Sequence, residues 1–194
     1  MSKPLALPFR LIVLSALFVV SLLAATGYRR ETPAGVRAQS GPGRQAAAAY
    51  VLQANEGEIL QRPGGQIVIK ADPRTGSARL AVGTQQLYTG SGIRIHRHEG
   101  EDEVLWIQEG SGTAIIGDSR KAVEKGAFVY VPQGVWHGLE NPNGEVRLLW
   151  MVSPPGLENF FREVGTPRGR EPRKLTPEQL NDIARKHGTS FKTQ

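Results

Sequence analysis

From residue 58 to residue 152 the apolar residues come in short runs, each closed by glycine, proline, asparagine or aspartate. Runs of this length cannot build long helices, and their regular spacing between turn residues is that of an antiparallel sandwich or barrel. Strands are expected over Gln66–Lys70, Ala78–Leu87, Gly92–His98, Val104–Gln108, Gly112–Ile116, Ala127–Val131, His137–Glu140 and Val146–Val152. Eight strands suffice for a small barrel. Gly117-Asp118 and Asn141-Pro142-Asn143-Gly144 have the chemistry of hairpin turns. With 23 glycines and 13 prolines in 194 residues, the chain reads as a loop-rich globular protein with room for one main domain.

Beyond residue 152 the pattern changes. Residues 155–164 carry apolar side chains at helical spacing, and Thr176-Pro177-Glu178-Gln179 offers an N-cap, a proline at the first helical position and a returning glutamine. Gly165 and Gly188 are placed as stops. Leu180, Ile183 and Ala184 form the apolar stripe of the second helix, which is expected to pack on the barrel or on a partner subunit.

The N-terminus is a separate unit. Lys3 and Arg10 precede an apolar run from Leu11 to Ala25 broken only by Ser15 and Ser21, the pattern of an export signal. Small residues allow cleavage after Ala25 or before Gln39, and an uncleaved anchor over residues 11–27 is the alternative. Residues 1–38 are thus expected to be a signal peptide or anchor with its tether, 39–57 a flexible linker, 58–152 the β-domain and 153–194 a helical extension. A periplasmic, extracellular or membrane-anchored location follows. The leader also explains the charge: of the net +6, residues 1–38 carry +4, which leaves +2 for the rest. Aromatic and basic residues are not interleaved, and Arg168, Arg170, Arg173 and Lys174 fall in a Pro/Gly-rich connector read as solvated linker. Nucleic acid is therefore not an expected partner.

The chain has no cysteine, so disulfides, thiolate nucleophiles and cysteine-held metals are excluded. Any metal must sit on imidazole and carboxylate. Three of the four histidines interrupt otherwise apolar strands. His96 and His98, two apart on a strand, project from one side, and Glu103 opens the next strand across a short connector. His137 follows the turn Pro132-Gln133-Gly134, which can return a later strand to the same cavity. Imidazoles with one carboxylate suit a single divalent ion of the iron, manganese, nickel, copper or zinc group with positions left open for substrate, a catalytic rather than a closed structural arrangement.

Gly90-x5-His96-x-His98-x4-Glu103-x6-Gly110 and Gly126-x5-Pro132-x-Gly134-x2-His137-x3-Asn141 resemble the two signature motifs of the cupin superfamily, with every position filled. The resemblance implies an all-β, single-barrel jelly roll from about Glu58 to Val152, followed by C-terminal helices. It also implies metal ligation by His96, His98, Glu103 and His137, turns at the glycines and Pro132, and a supporting role for Asn141. The tail from Ser153 to Val164 looks like that of small cupins labelled quercetinase-like, which points to a dioxygenase acting on an enol or phenolic small molecule with Glu103 dissociating or accepting a proton during turnover. Rival readings are a decarboxylase or isomerase using Glu101 and Arg94, a non-catalytic module that binds a small molecule or metal, and a metal-free structural cupin.

Around the ligands, Arg94 shares strand parity with His96 and His98 and is a candidate for pairing with an anionic or enolate substrate. Trp136, beside His137, is the candidate pocket wall. Glu99, Glu101 and Asp102 are read as a solvated acidic loop, Trp106 and Tyr130 as core or dimer-interface residues, and His187 as a helix-end cation without chemistry. A homodimer is expected by resemblance.

Overall fold

The computed structural model describes residues 48–193 with the exception of Pro142, so the expected leader and most of its tether lie outside the described residues. In chain order the strands are β1 (Glu58–Arg62), β2 (Gly65–Ala71), β3 (Ala81–Leu87), β4 (Gly92–His98), β5 (Asp102–Glu109), β6 (Ser111–Ile116), β7 (Ser119–Glu124), β8 (Phe128–Val131), β9 (His137–Glu140) and β10 (Val146–Ser153). Helix α1 (Leu157–Val164), the short β11 (Thr166–Pro167), helix α2 (Pro177–Lys186) and β12 (Thr189–Phe191) complete the chain.

All strand pairs are antiparallel and form two sheets, one ordered β11-β1-β2-β3-β10-β5-β8 and the other β12-β4-β9-β6-β7. The jelly roll is thus two facing sheets rather than one hydrogen-bonded ring. Alternation decides which residues meet between them: β3 turns Ala81, Gly83, Gln85 and Leu87 inward, β5 turns Glu103, Leu105 and Ile107 inward, and β10 contributes Val146, Leu148, Trp150 and Val152. From the second sheet, Ala114 of β6 and Leu139 of β9 join the same core. At 25–30 cal/mol per Å², each large aliphatic side chain buried here contributes roughly 2 kcal/mol.

Each expected strand is present. β1, β7, β11 and β12 come in addition. β7 has the sequence Ser-Arg-Lys-Ala-Val-Glu with Val123 alone buried, a charged edge strand whose pattern carries no alternating apolar signal. Motif glycines 90, 110, 126 and 134 all adopt positive φ, between 75° and 91°, at the ends of strands as the resemblance implied. Asn141 is buried, and its amide donates to the carbonyls of Tyr88 at 3.2 Å and Gly144 at 2.9 Å, tying together two loops. Trp106, Phe128 and Tyr130 are exposed on the outer face of the larger sheet.

Helix α1 buries Leu157, Phe160, Phe161 and Val164, the i, i+3, i+4, i+7 face, against the core, and Phe161 meets Trp150 edge-to-face at 5.0 Å. α2 begins with the expected capping box, Thr176 and Gln179 each bonding the other's backbone N–H, with Pro177 at its first position. It does not end the chain's structure. Gly188, at φ 68°, reverses direction, and Thr189–Phe191 pairs with Arg97, His98 and His96 as the edge strand beside β4.

Candidate metal centre

The four candidate ligands converge. His96 and His98 come from β4 and His137 from the start of β9, all in the five-stranded sheet, while Glu103 reaches across from β5 of the seven-stranded one. Their ligand atoms lie within 4.8 Å of one another and all four residues are buried. The ring centroids of His96 and His137 are 4.1 Å apart, and Glu103 Oε2 is 2.8 Å from His137 Nε2 and 3.6 Å from His98 Nε2.

The outer side of each ring explains why the inner nitrogens are available. His96 Nδ1–H donates to the Arg94 carbonyl at 2.9 Å, and His137 Nδ1–H donates to the Val135 carbonyl at 2.8 Å. A carbonyl can only accept, so both neutral rings carry their proton on Nδ1 and leave a bare lone pair on Nε2. His98 Nδ1 faces Thr189 Oγ1 at 3.1 Å and Glu101 Oε2 at 3.4 Å, and its Nε2 is buried without a hydrogen-bond partner. With the rings neutral, Glu103 and His137 would oppose two lone pairs at 2.8 Å, an arrangement that needs a cation between the groups or an added proton on the ring. The donor set therefore fits a metal ion.

Local backbone geometry serves this arrangement. β4 pairs Ile93 with Leu139 but His96 with His137, a register shift that inserts one extra residue opposite Gly138. A Cβ on Gly138 would come within 2.8 Å of the Ile93 carbonyl, so the bulge requires glycine there.

The electrostatics follow from crowding three imidazoles in a dry place. Burial, reinforced by His137 and His98, lowers His96 to about 3 from 6.5. Burial works against ionising Glu103, but the adjoining imidazoles of His137 and His98 outweigh this and hold it well below the usual carboxylate range. Glu101 is pushed up, first by burial.

These directions set a pH dependence for the metal-free protein. Between pH 6.5 and about 3 the unfolded chain protonates His96 and the native state resists, so this contribution to stability is complete above pH 6.5 and declines as pH falls. Glu103 acts with the same sign below 4.5, and Glu101 acts with the opposite sign. At about 1.4 kcal/mol per pH unit, lowering pH from 6.5 to 4.5 should cost on the order of 2 kcal/mol. Melting curves of chelated protein check this, and a melting temperature that stays level or rises on acidification contradicts it.

A cavity of about 220 Å³ opens on the cluster, with His96 and Glu103 in its wall. Arg94 lines it as expected, its guanidinium 4.5 Å above the Phe191 ring. Trp136 does not line it. Neighbouring residues on an extended chain face opposite ways, and next to inward-facing His137 the indole instead lies 4.9 Å from the Arg97 guanidinium. Glu101 also departs from expectation: it is buried behind His98, where it and Thr189 orient that ring, and it is absent from the cavity wall where a decarboxylase or isomerase would use it. Arg173, expected in solvated linker, lines the cavity and donates to the Glu163 carbonyl at 2.9 Å.

Residues 83–152 match the family described as Cupin domain. An uncharacterised protein of Streptomyces coelicolor is 32% identical over 76 residues, which span 39% of this chain and 71% of that protein. The chain belongs to the cupins. A second relative, the quercetin 2,3-dioxygenase of Bacillus subtilis, is 27% identical to this cupin over 123 residues, or 62% of this chain but 36% of the enzyme's own length. Among solved structures, an RmlC-like cupin from Shewanella frigidimarina superposes with a TM-score of 0.50 at 19% identity, covering 57% of this chain and 95% of that one. The polyketide cyclase RemF from Streptomyces resistomycificus gives 0.50 at 15% identity over 69% of this chain and 92% of its own. The likeness to both is one of fold.

Proposed function

We propose that this cupin holds one divalent transition metal on His96, His98, Glu103 and His137 and is a dioxygenase of an enol or phenolic small molecule. The observation that carries the reading is the placement of a buried three-histidine, one-glutamate cluster on the wall of a largely apolar cavity. When bound, the metal would supply Lewis acidity and, for a redox-active ion, a path for electrons between substrate and dioxygen. Glu103, a carboxylate on the cavity wall, is the group placed to accept the proton of a substrate hydroxyl. Leu157, Phe160 and Phe161 exclude water from that transfer. The partial likeness to the Bacillus quercetin 2,3-dioxygenase supports the oxidative chemistry over other cupin reactions.

Oxygen uptake by metal-loaded protein with a panel of flavonols and dihydroxyphenols tests the proposal. Turnover is expected, with Glu103→Gln reducing it on the order of 100-fold or more, the range of a lost general base. Stoichiometric metal without oxygen consumption across the panel would identify a binding module instead.

A further inference from the structure

Of the twelve arginines among the described residues, Arg97, Arg120, Arg147, Arg162 and Arg185 pair with a carboxylate and seven do not. The three that line the cavity over the metal cluster, Arg62, Arg94 and Arg173, pair with no carboxylate among the described residues. Arg62 is the innermost. It ends β1 half-buried, its side chain makes no hydrogen bond to a described residue, and burial pushes its guanidinium below the usual value. An arginine keeps its charge under such conditions, so the cavity wall carries a partly desolvated cation with no anion of its own among the described residues, and a ligand anion would complete it. On the same cavity wall, Gln85 interrupts the inward apolar row of β3, is buried and lacks a side-chain partner among the described residues. The remaining wall is phenyl and aliphatic, including Phe160, Phe161 and Phe191.

We infer that the cavity takes a small organic carboxylate with an apolar body, its anionic end held by Arg62, with Gln85 as a further polar group of the same wall, and its body among the phenyl rings. The planar fork of a guanidinium matches a carboxylate with two parallel hydrogen bonds, and a low-dielectric wall strengthens them. Arg94 and Arg173, more exposed, sit where they attract the anion as it enters. The inference deepens the functional proposal by naming the charge of the substrate, and relies on it only for the claim that the bound molecule is oxidised.

The test is calorimetric titration of the full chain with 3-phenylpropanoate and 3-phenylpropanamide, which share a shape and differ in charge. The acid should bind at least tenfold tighter than the amide. Arg62→Gln should abolish that difference while metal content stays at the wild-type level, and Arg173→Gln, at an exposed position, should reduce it severalfold. Chelated protein should keep the preference, so the inference stands or falls separately from any oxygen consumption. Equal affinities, no binding of either compound, a preference that survives Arg62→Gln, or one that disappears with the metal would each overturn it.

Discussion

Replacing His96 and His98 together with alanine is expected to reduce bound divalent metal from about one ion per chain to less than a tenth of that, measured by elemental analysis after purification in metal-supplemented medium. The pair supplies two of the three imidazole nitrogens, and His137 with Glu103 would remain as a two-ligand site open to water. The fold should survive. Both positions sit in a strand held on one side by β9 and on the other by β12, and the double substitution removes the imidazole that burial, reinforced by His137 and His98, lowers to about 3. The variant should therefore also lose much of the acid sensitivity expected of metal-free wild-type protein. A variant that retains full metal stoichiometry would remove the foundation of the site.

The four ligands were legible because their placement depends on short-range rules. The two-residue spacing of His96 and His98 acts within one strand, and the connector to Glu103 and the turn before His137 are short links between the two facing sheets, where strand alternation leaves little freedom. What surrounds them was not legible, for a consistent physical reason. Thr189 reaches His98 across 91 positions of sequence, through a three-residue strand too short to show a period and existing only because β4 has an open edge. Glu101 has the composition of a solvated loop, and its burial is a consequence of α1 docking over it: its carboxylate approaches so closely that a Cβ on Gly156 would stand 2.2 Å from Oε1. Arg62 and Arg173 acquire a shared role only when β1 and the segment before α2 are brought to one cavity.

A long-range ionic contact also fastens part of the cavity wall. Arg162, on α1, donates to Glu58 Oε2 at 2.6 and 2.8 Å and to Asp72 Oδ2 at 2.5 Å, fastening to β1 and the end of β2 the helix that carries Phe160 and Phe161. Asp72 is fully buried and also accepts from Thr75 N through Oδ1 at 3.1 Å, whereas Glu58 is partly solvated and can be screened by water. Arg162→Met keeps most of the apolar stem but leaves the Asp72 carboxylate without its cation. Removing one partner of a buried pair costs about 3–5 kcal/mol, and the remaining Thr75 hydrogen bond argues for the lower figure, about 3 kcal/mol in denaturant melts. Asp72→Asn in the Arg162→Met background removes the stranded charge and retains an oxygen for the Thr75 N–H, so it should restore at least about 1 kcal/mol of the loss. A single variant within about 0.5 kcal/mol of wild type, the range of an ordinary surface change, or a double variant no more stable than the single, would mean that apolar packing alone holds α1 over the histidine–glutamate cluster.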